Sequence, residues 1–252
     1  MALRNWWRRE RVRGRPTSGN GASSLHLRWL WAGKSPPPLV EVGVDLTVLV
    51  APTVASLYFW ALQASFVDPG PGGRRHGAGH VGLQWHPRHP ANTAVNWGGY
   101  AAGGGELPGS ESPLPSARGN PNTRDFRWEQ GRTYRLSIRR GDDGWDGLID
   151  GEAVRTLYAP GDALTGVVVW SEVFARCDDP TTVVRWSGFG GRTATGEQVG
   201  PTAVAVNYQS WAEGGCTNTT ADVDPEGILQ KSNAVRTVRQ DAVLPVNHSP
   251  VR

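Results

Sequence analysis

The sequence has few of the features that define several large protein classes. Among its 252 residues are two cysteines and one methionine. No run of 18 apolar residues occurs, so no membrane-spanning helix is predicted. No glycine-rich phosphate-binding loop stands in a strand–turn–helix context, and no H-E-x-x-H or G-x-S-x-G motif is present. These absences argue against a disulfide-dense scaffold, a nucleotide-binding fold, a zincin and an α/β-hydrolase.

The charge is unevenly distributed along the chain. The formal net charge is +3, but six arginines against one glutamate in residues 1–24 leave the remainder slightly acidic. A basic segment without apolar periodicity is typical of disorder. We therefore expect a disordered basic tail over 1–24, one folded domain over 25–238 and a loose C-terminal tail over 239–252. Because the body is not basic, we expect it not to bind nucleic acid.

The 33 glycines and 19 prolines are typical of many turns between short strands. Apolar residues alternate with period 2, the pattern of half-buried strands. In "SLYFWALQASF" the residues on one face are Tyr58, Trp60, Leu62, Ala64 and Phe66. Ten to twelve such segments, with no helix of ten residues, predict an all-β protein with an antiparallel β-sandwich of the jelly-roll type.

The two cysteines, Cys177 and Cys216, lie in polar, loop-like segments. No histidine lies near either, which argues against a structural zinc site. A disulfide between them would close a loop of about 40 residues and stabilise the fold by roughly 4 kcal/mol. Disulfides form in oxidising compartments, so we expect an extracellular or cell-surface protein. The chain shows no recognisable signal peptide, and we expect its true leader to have been misread or omitted.

The segment "GHVGLQWHPRHPANTAVNWGGY" (79–100) has an unusual polar content. If residues 79–86 form a strand, Val81, Leu83 and Trp85 face the core, while His80, Gln84 and His86 face the other side. His89 and His76 lie close enough in sequence to suggest a metal site. The ligand spacing matches no metal motif, so we predict no metal. Similarly, "RRGDDGWDGLIDG" favours a hairpin at "DDG" over a calcium loop, because Ala153 would occupy the position of the bidentate glutamate.

A carbohydrate-binding surface requires aromatic rings for the sugar faces and amide, imidazole or carboxylate groups for the hydroxyls. The neighbouring residues Asn96 and Tyr100 and the segment "NYQSW", ending at Trp211, offer such groups. No pair of carboxylates with glycosidase spacing is recognisable, so no catalytic residue or cofactor is predicted. The predicted ligand-binding residues are His80, Gln84, His86, Trp97, Asn207 and Gln209.

Three segments together resemble the concanavalin-A-like jelly-roll superfamily over roughly residues 40–235. They are "YFWALQASF", the later "GHVGLQWH", and the hairpin "YRLSIRR-DDG-WDGLIDG". The resemblance is closest to uncharacterised secreted bacterial β-sandwich proteins. Members of the superfamily are commonly lectins, carbohydrate-binding modules, glucanases and polysaccharide lyases, and fold does not choose among them. The resemblance implies a ligand, polysaccharide or cell-surface glycan, on the concave face of the sheet.

A narrower resemblance is to alginate-lyase-like sandwiches. "QWH" at Gln84–His86 and "NYQ" at Asn207–Gln209 occur in the order found there, where such residues neutralise a uronate carboxylate and move the proton beside it. The arginine-bearing strand that should precede "QWH" is replaced by "ALQASF", and Tyr208 alternates onto the apolar side. Three functions therefore remain open: non-catalytic glycan binding, a polysaccharide lyase or hydrolase on the same face, and a structural or interaction module.

Overall fold

The computed structural model describes residues 13–33, 37–70 and 72–246. The fold is all-β, as predicted, with short 3₁₀ turns at Pro90–Asn92 and Trp211–Glu213. No helix in these residues is long and apolar enough to cross a membrane. The strands are β1 Ser23–Leu30, β2 Leu39–Val50, β3 Tyr58–Val67, β4 Arg75–Trp85, β5 Thr93–Ala101, β6 Thr123–Asp125, β7 Thr133–Arg140, β8 Trp145–Ile149, β9 Glu152–Leu157, β10 Ala163–Val173, β11 Thr182–Thr193, β12 Gln198–Val199, β13 Ala203–Tyr208, β14 Thr219–Asp224, β15 Gly227–Ser232 and β16 Val243–Pro245.

The strands form two antiparallel sheets. The first sheet has the order β16-β13-β1-β10-β3-β4-β5-β6. The second has the order β14-β15-β11-β2-β7-β8-β9, with β12 beside β11. A single register position, Leu39 opposite Leu164, joins β2 to β10 and connects the two sheets.

The core lies between the two sheets. Strands β3 and β4 of the first sheet contact β7 of the second, and β5 contacts β9. The rings of Phe66 and Trp145 stack across this space at 5.2 Å, and Trp29 meets Phe189 edge to face at 5.5 Å. Because each sheet buries one face against the other, core residues alternate with outward residues along much of each long strand, and this is why the period-2 pattern predicted the strands.

The predicted strand faces are confirmed where the alternation is long. Tyr58, Trp60, Leu62, Ala64 and Phe66 are all buried on the core side of β3. The predicted hairpin is also present: β7 pairs with β8, and the amide of Gly141 donates to the carbonyl of Gly144 at 2.9 Å. The segment read as a possible calcium loop is therefore a hairpin.

The predicted domain boundaries lie a few residues too far inside the chain. Strand β1 begins at Ser23, inside the segment 1–24 that we expected to be disordered, because it pairs with β10 on one side and β13 on the other. Strand β16, at Val243–Pro245, lies inside the expected loose tail 239–252 and pairs with β13. Residues 1–12 and 247–252 lie outside the described residues.

The predicted disulfide is confirmed. Cys177 and Cys216 are bonded, with their Cα atoms 6.0 Å apart and 39 positions apart in sequence. The bond joins the loop after β10 to the loop before β14, and both loops contact the start of the described chain. The amide of Cys177 donates to the carbonyl of Gly14 at 2.6 Å, and the amide of Cys216 donates to Ser23 Oγ at 3.2 Å.

Candidate functional site

The outer face of the first sheet, which points away from the core, holds half of the predicted ligand-binding residues. His80, Gln84 and His86 lie on or directly after β4, opposite Val81 and Leu83, which are fully buried in the core. The alternation assigned to this strand is therefore correct. We call the surface formed by the outward side chains of β1, β10, β3, β4 and β5 the first outer face.

Cross-strand register arranges this face in rows. One row runs Arg28, Val168, Gln63, His80 and Gly98 from β1 to β5. The neighbouring row runs His26, Trp170, Ala61, Gly82 and Asn96. The next row in the same direction runs Ser24, Glu172, Phe59, Gln84 and Ala94. Side chains directly opposite in neighbouring strands lie about 5 Å apart at Cβ, so each row is a continuous strip of contacts.

Trp97, one of the predicted ligand-binding residues, points into the core and not to the first outer face. Its side chain has 0% exposure and lies in the core, where a side chain at Gly147 of β8 would overlap the Trp97 ring. Residues i and i+1 of a strand point to opposite faces. Because Asn96 and Tyr100 point outward, Trp97 must point inward.

Asn207 and Gln209 lie too far from β4 to join its polar residues. Strand β13 is four strands from β4, which corresponds to about 19 Å. Gln209 Nε2 donates to the carbonyl of Glu213 at 3.3 Å, and Arg236 lies 3.7 Å from the ring centre of Tyr208. The convergence of "QWH" and "NYQ" that a lyase would need is therefore not formed.

An aromatic cluster covers the middle of the first outer face. Phe59 and Trp170 meet edge to face at 4.9 Å, and His80 lies 5.6 Å from each of them. Phe59 and Trp170 are buried, together with Ala61 and Val168. Gly82 is required here because a Cβ would collide with β3 at Trp60 and Ala61. The small residue therefore permits strand packing, and the cluster behaves as a second, minor core.

A depression opens beside this cluster, at the start of β4 and the end of β5. Its volume is about 280 Å³, and its polar or aromatic lining residues are Gln63, Arg75, His80 and Tyr100. Small residues complete the lining, at Gly77, Ala78, Ala101 and Ala102. The ring of Tyr100 is 55% exposed, and it is the large exposed aromatic side chain of this face.

Two lining residues, Gln63 and His80, offer hydrogen-bonding groups to the depression. Trp170 Nε1 donates to Gln63 Oε1 at 3.1 Å, which fixes the amide and leaves the Gln63 amide hydrogens for another partner. Burial lowers the pKa of His80 to about 4, so its imidazole is neutral near pH 7. A neutral imidazole has one donor and one acceptor nitrogen. Together these groups offer donors and an acceptor to a neutral polar ligand.

Glu172 is the only acidic residue in the five strands of the first outer face. Burial raises its pKa, and Asn20 Nδ2 donates to Glu172 Oε1 at 3.2 Å, which opposes that effect. A carboxyl group of this kind is a candidate general acid. The nearest carboxylate along its row is Asp125 of β6, four strands away at about 19 Å. This exceeds the separation at which a pair of carboxylates hydrolyses a glycoside.

Two amide side chains of the same face are buried with acceptor oxygens that lack a partner among the described residues. They are Gln84 Oε1, in a side chain 5% exposed, and Asn96 Oδ1. Asn96 Nδ2 donates to Thr123 Oγ1 at 2.8 Å, so the orientation of that amide is fixed. Buried acceptors without donors are costly, and eight other buried side-chain atoms of the described residues also lack a partner.

A chain of polar groups lies at the end of β4. His89 Nδ1 and Asp125 Oδ1 are 2.6 Å apart, and the rings of His86 and His89 are 4.6 Å apart. Burial lowers the pKa of His86 to about 4, and the charges of His89 and Arg88 act in the same direction. Within the described ranges, no three His, Cys, Asp or Glu side chains are grouped to hold a metal ion.

Sequence reasoning missed Phe59, Gln63, Trp170, Glu172 and Arg75 as members of this face. The signal was present in β3, where alternation places Phe59 and Gln63 opposite the core residues. It was also present in β10, where Trp170 and Glu172 alternate with Val169 and Val173. What no single strand could show is that β3, β4 and β10 are neighbours in the sheet.

No protein-family profile matches the chain, and no curated protein matches it by sequence. Some solved structures are similar to the chain at low sequence identity. A Scytalido-glutamic peptidase with a peptide-based transition-state analogue is 11% identical with a TM-score of 0.43, covering 83% of this chain and 98% of that one. A native glycosidic hydrolase is 14% identical with a TM-score of 0.32, covering 63% and 67%. The kappa-carrageenase of Pseudoalteromonas carrageenovora, in complex with an oligotetrasaccharide of kappa-carrageenan, is 10% identical with a TM-score of 0.32, covering 65% and 73%. At such low values the function of this chain has to be argued from its own residues.

Proposed function

We propose that this protein is a secreted carbohydrate-binding β-sandwich of the concanavalin-A-like type, with its glycan site in the depression of the first outer face. The observation that carries the proposal is the combination of one exposed ring, Tyr100, with the fixed polar groups of Gln63 and His80. The apolar face of a sugar ring packs on an aromatic ring, while amide and imidazole groups bond its hydroxyls.

The floor of the depression suits this ligand class. Gly77, Ala78 and Ala101 have little or no side chain, so a flat ring can approach the sheet closely. His80 is neutral near pH 7 and can donate to one hydroxyl while accepting from another. The disulfide between Cys177 and Cys216 supports a location in an oxidising, extracellular compartment.

The test measures retention and chemistry in the same samples. The full chain is run through gels containing each member of a panel of neutral and acidic polysaccharides. The same mixtures are assayed for new reducing ends and for ultraviolet absorbance from new C=C bonds. We expect retention on at least one glycan without product. Tyr100→Ala should weaken that retention about tenfold, as loss of one aromatic contact would.

Tyr158 provides the matched control. It is 46% exposed and does not line the depression, so Tyr158→Ala removes the same exposed ring from a different place. Retention should be unchanged in this variant. Absence of retention on every glycan, or equal losses in the Tyr100 and Tyr158 variants, would contradict the proposed site.

A second candidate function is hydrolysis with Glu172 as general acid. The observation in its favour is the raised pKa of this carboxyl on the same face. Along its row the nearest carboxylate, Asp125, is about 19 Å away; this weighs against a two-carboxylate mechanism, which is why binding without catalysis ranks first. Formation of reducing ends by the wild type, abolished in Glu172→Gln, would replace the first proposal with this one.

A further inference from the structure

The cations of the first outer face lack carboxylate partners. Arg28 of β1 and Arg75 of β4 are both exposed, and neither forms an ion pair with any residue in the described part of the chain. Arg75 lines the depression with Tyr100 and Gln63. Arg28 lies in the same row as Gln63 and His80, three strands from β4 and so about 14 Å across the sheet.

Most basic residues of the second sheet, in contrast, are ion-paired. Every basic residue in its strands β2, β7, β11 and β15 forms an ion pair with a carboxylate. The residues are Arg135, Arg139, Arg140, Arg185, Arg192 and Lys231. An exposed arginine gains little from such a pair. The exception in the second sheet is the buried Arg155 of β9, which donates to the neutral side chain of Asn122; the cations of the four strands named are paired, whereas Arg28 and Arg75 are not.

The first outer face also has little negative charge of its own. Glu172 is the single acidic residue in β1, β3, β4, β5 and β10, and Asn20 hydrogen-bonds its carboxyl. An anionic ligand along these strands would therefore meet two unpaired guanidinium groups and one partly buried carboxyl. The carboxylate of Asp68, just beyond the end of β3, is paired with His76 at 2.7 Å. Guanidinium groups bind carboxylate and sulfate oxygens through two parallel hydrogen bonds.

We propose that the ligand is an acidic polysaccharide, whose carboxylate or sulfate groups bind Arg75 in the depression and Arg28 along the row that contains Gln63 and His80. This inference rests on the proposed function, because it names the ligand class of the same site. Uronates and sulfated sugars share the anionic chemistry that the two arginines recognise. A chain with repeated charges satisfies both sites, since they are separated along and across the strands.

The test compares four probes on the full chain by affinity electrophoresis: a polyuronate, a sulfated galactan, a neutral β-glucan and single-stranded DNA. The variants are Arg75→Gln and Arg28→Gln, with Arg139→Gln as the control. Arg139 lies on the opposite face and loses the same charge; its contact with Asp146 is long, at 3.9 Å. Thermal melting checks that each variant is folded.

We expect retention on the polyuronate or the sulfated galactan, and the arm that responds identifies the anionic group. Arg75→Gln should weaken this retention about tenfold, which corresponds to 1.4 kcal/mol, and Arg28→Gln should weaken it less. Arg139→Gln should leave it unchanged, and 0.5 M salt should weaken the wild-type interaction, because screening shortens the reach of the charges.

Failure of this inference and failure of the proposed function give different results. Retention on the neutral glucan that depends on Tyr100 but not on Arg75 would overturn this inference and leave the proposed function standing. No retention on any of the three glycans would overturn both this inference and the proposed function. Equal retention on single-stranded DNA, with the same dependence on Arg75, would show a general polyanion surface and would also overturn the assignment to acidic polysaccharide.

Discussion

The outer faces of the two sheets differ in the kinds of side chain that they present to solvent. On the second sheet, charged side chains pair across neighbouring strands. Arg192 Nη2 lies 2.7 Å from Glu41 Oε2, and Lys231 Nζ lies 2.6 Å from Asp222 Oδ2. On the first sheet, the outward side chains of the central strands include aromatic, amide and imidazole groups around the cluster of Phe59 and Trp170.

The difference assigns different roles to the two faces: the outer face of the second sheet is a hydrated surface, and the first outer face is the proposed binding surface. Ion pairs between strands keep a sheet face hydrated and satisfied, so nothing in such a pattern requires a ligand. The first outer face instead leaves Gln84 Oε1 and Asn96 Oδ1 buried without a donor from the described residues, and leaves Arg75 without a carboxylate. Buried groups of this kind also occur in the core, at Trp97 Nε1 and Trp145 Nε1, so the unpaired charge of Arg75 is what distinguishes this face.

Removal of a ring from the first outer face should have the largest effect on stability. Phe59→Ala deletes a buried side chain that contacts Trp170 and His80. We expect the free energy of unfolding to fall by about 3–5 kcal/mol, the usual cost of a large cavity. Chemical denaturation measures it. A loss below about 1 kcal/mol would mean that the aromatic cluster is not a second core.

The pH dependence of stability should differ between the two faces. The pKa of His80 is lowered from 6.5 to about 4 by burial, so the unfolded chain binds the proton more tightly. His80 therefore stabilises the fold above pH 6.5, and this contribution, up to about 3 kcal/mol, is lost as the pH falls through 6.5 toward 4. His80→Gln should flatten the unfolding free energy over that range, measured by denaturation at several pH values.

On the second sheet the corresponding loss should come at lower pH. Burial tends to raise the pKa of Asp224, but hydrogen bonds from Arg185 and the Glu226 amide lower it below 3.8 overall. Its stabilisation is present above pH 3.8 and is lost as the pH falls through the lowered value.

The pH dependence contributed by Glu172, on the first sheet, has the opposite sign. Its pKa is raised, so its contribution to stability is lost as the pH rises past 4.5. If His80→Gln and the wild type had parallel pH profiles between 6.5 and 4, the burial assigned to His80 would be wrong.

Disruption of an ion pair on the second sheet should have a small effect. Arg192→Gln removes two hydrogen bonds to Glu41, at 3.1 and 2.7 Å, from a partly exposed pair. We expect a loss of about 1 kcal/mol or less, with glycan retention unchanged. A double-mutant cycle with Glu41→Gln gives the coupling energy. A coupling above about 2 kcal/mol would show that this face is a structural network rather than a hydrated surface.

Removal of the exposed ring of the depression should have the smallest effect on stability. Tyr100→Ala deletes a side chain that is more than half exposed, so the free energy of unfolding should change by no more than about 0.5 kcal/mol. The same variant should lose glycan retention. Thermal melting and affinity electrophoresis on one preparation measure both. A variant that loses stability and retention together would make Tyr100 a structural residue.

The fold could be predicted from the sequence to a large extent because alternation is a local property. The core sets of β3, β4 and β7 follow from period 2, and the turn at Gly141 follows from its aspartates and glycines. The short strands β6, β12 and β16 were missed, since two or three residues show no period. Their existence depends on partners that are remote in sequence, as with β16 beside β13.

The candidate site could be predicted only strand by strand. The outward set of β4 was correct, but Trp97 was placed on the wrong side, although the outward Asn96 already required it to point inward. Asn207 was grouped with His86 on the assumption that the polar faces of their strands are neighbours, while β13 is four strands from β4 in the sheet. Gln63, Trp170 and Glu172 join the site through sheet order, which a linear pattern does not contain.

The most direct test of the account is hydrogen–deuterium exchange of the protein with and without the polysaccharide that retains it. If the first outer face is the binding surface, amides of β3, β4 and β5 near Gln63, His80 and Tyr100 should exchange more slowly with ligand. Amides of β2, β7 and β11 should be unaffected. Protection confined to β2, β7 and β11 would place the ligand on the ion-paired face and would contradict the division of roles between the two sheets.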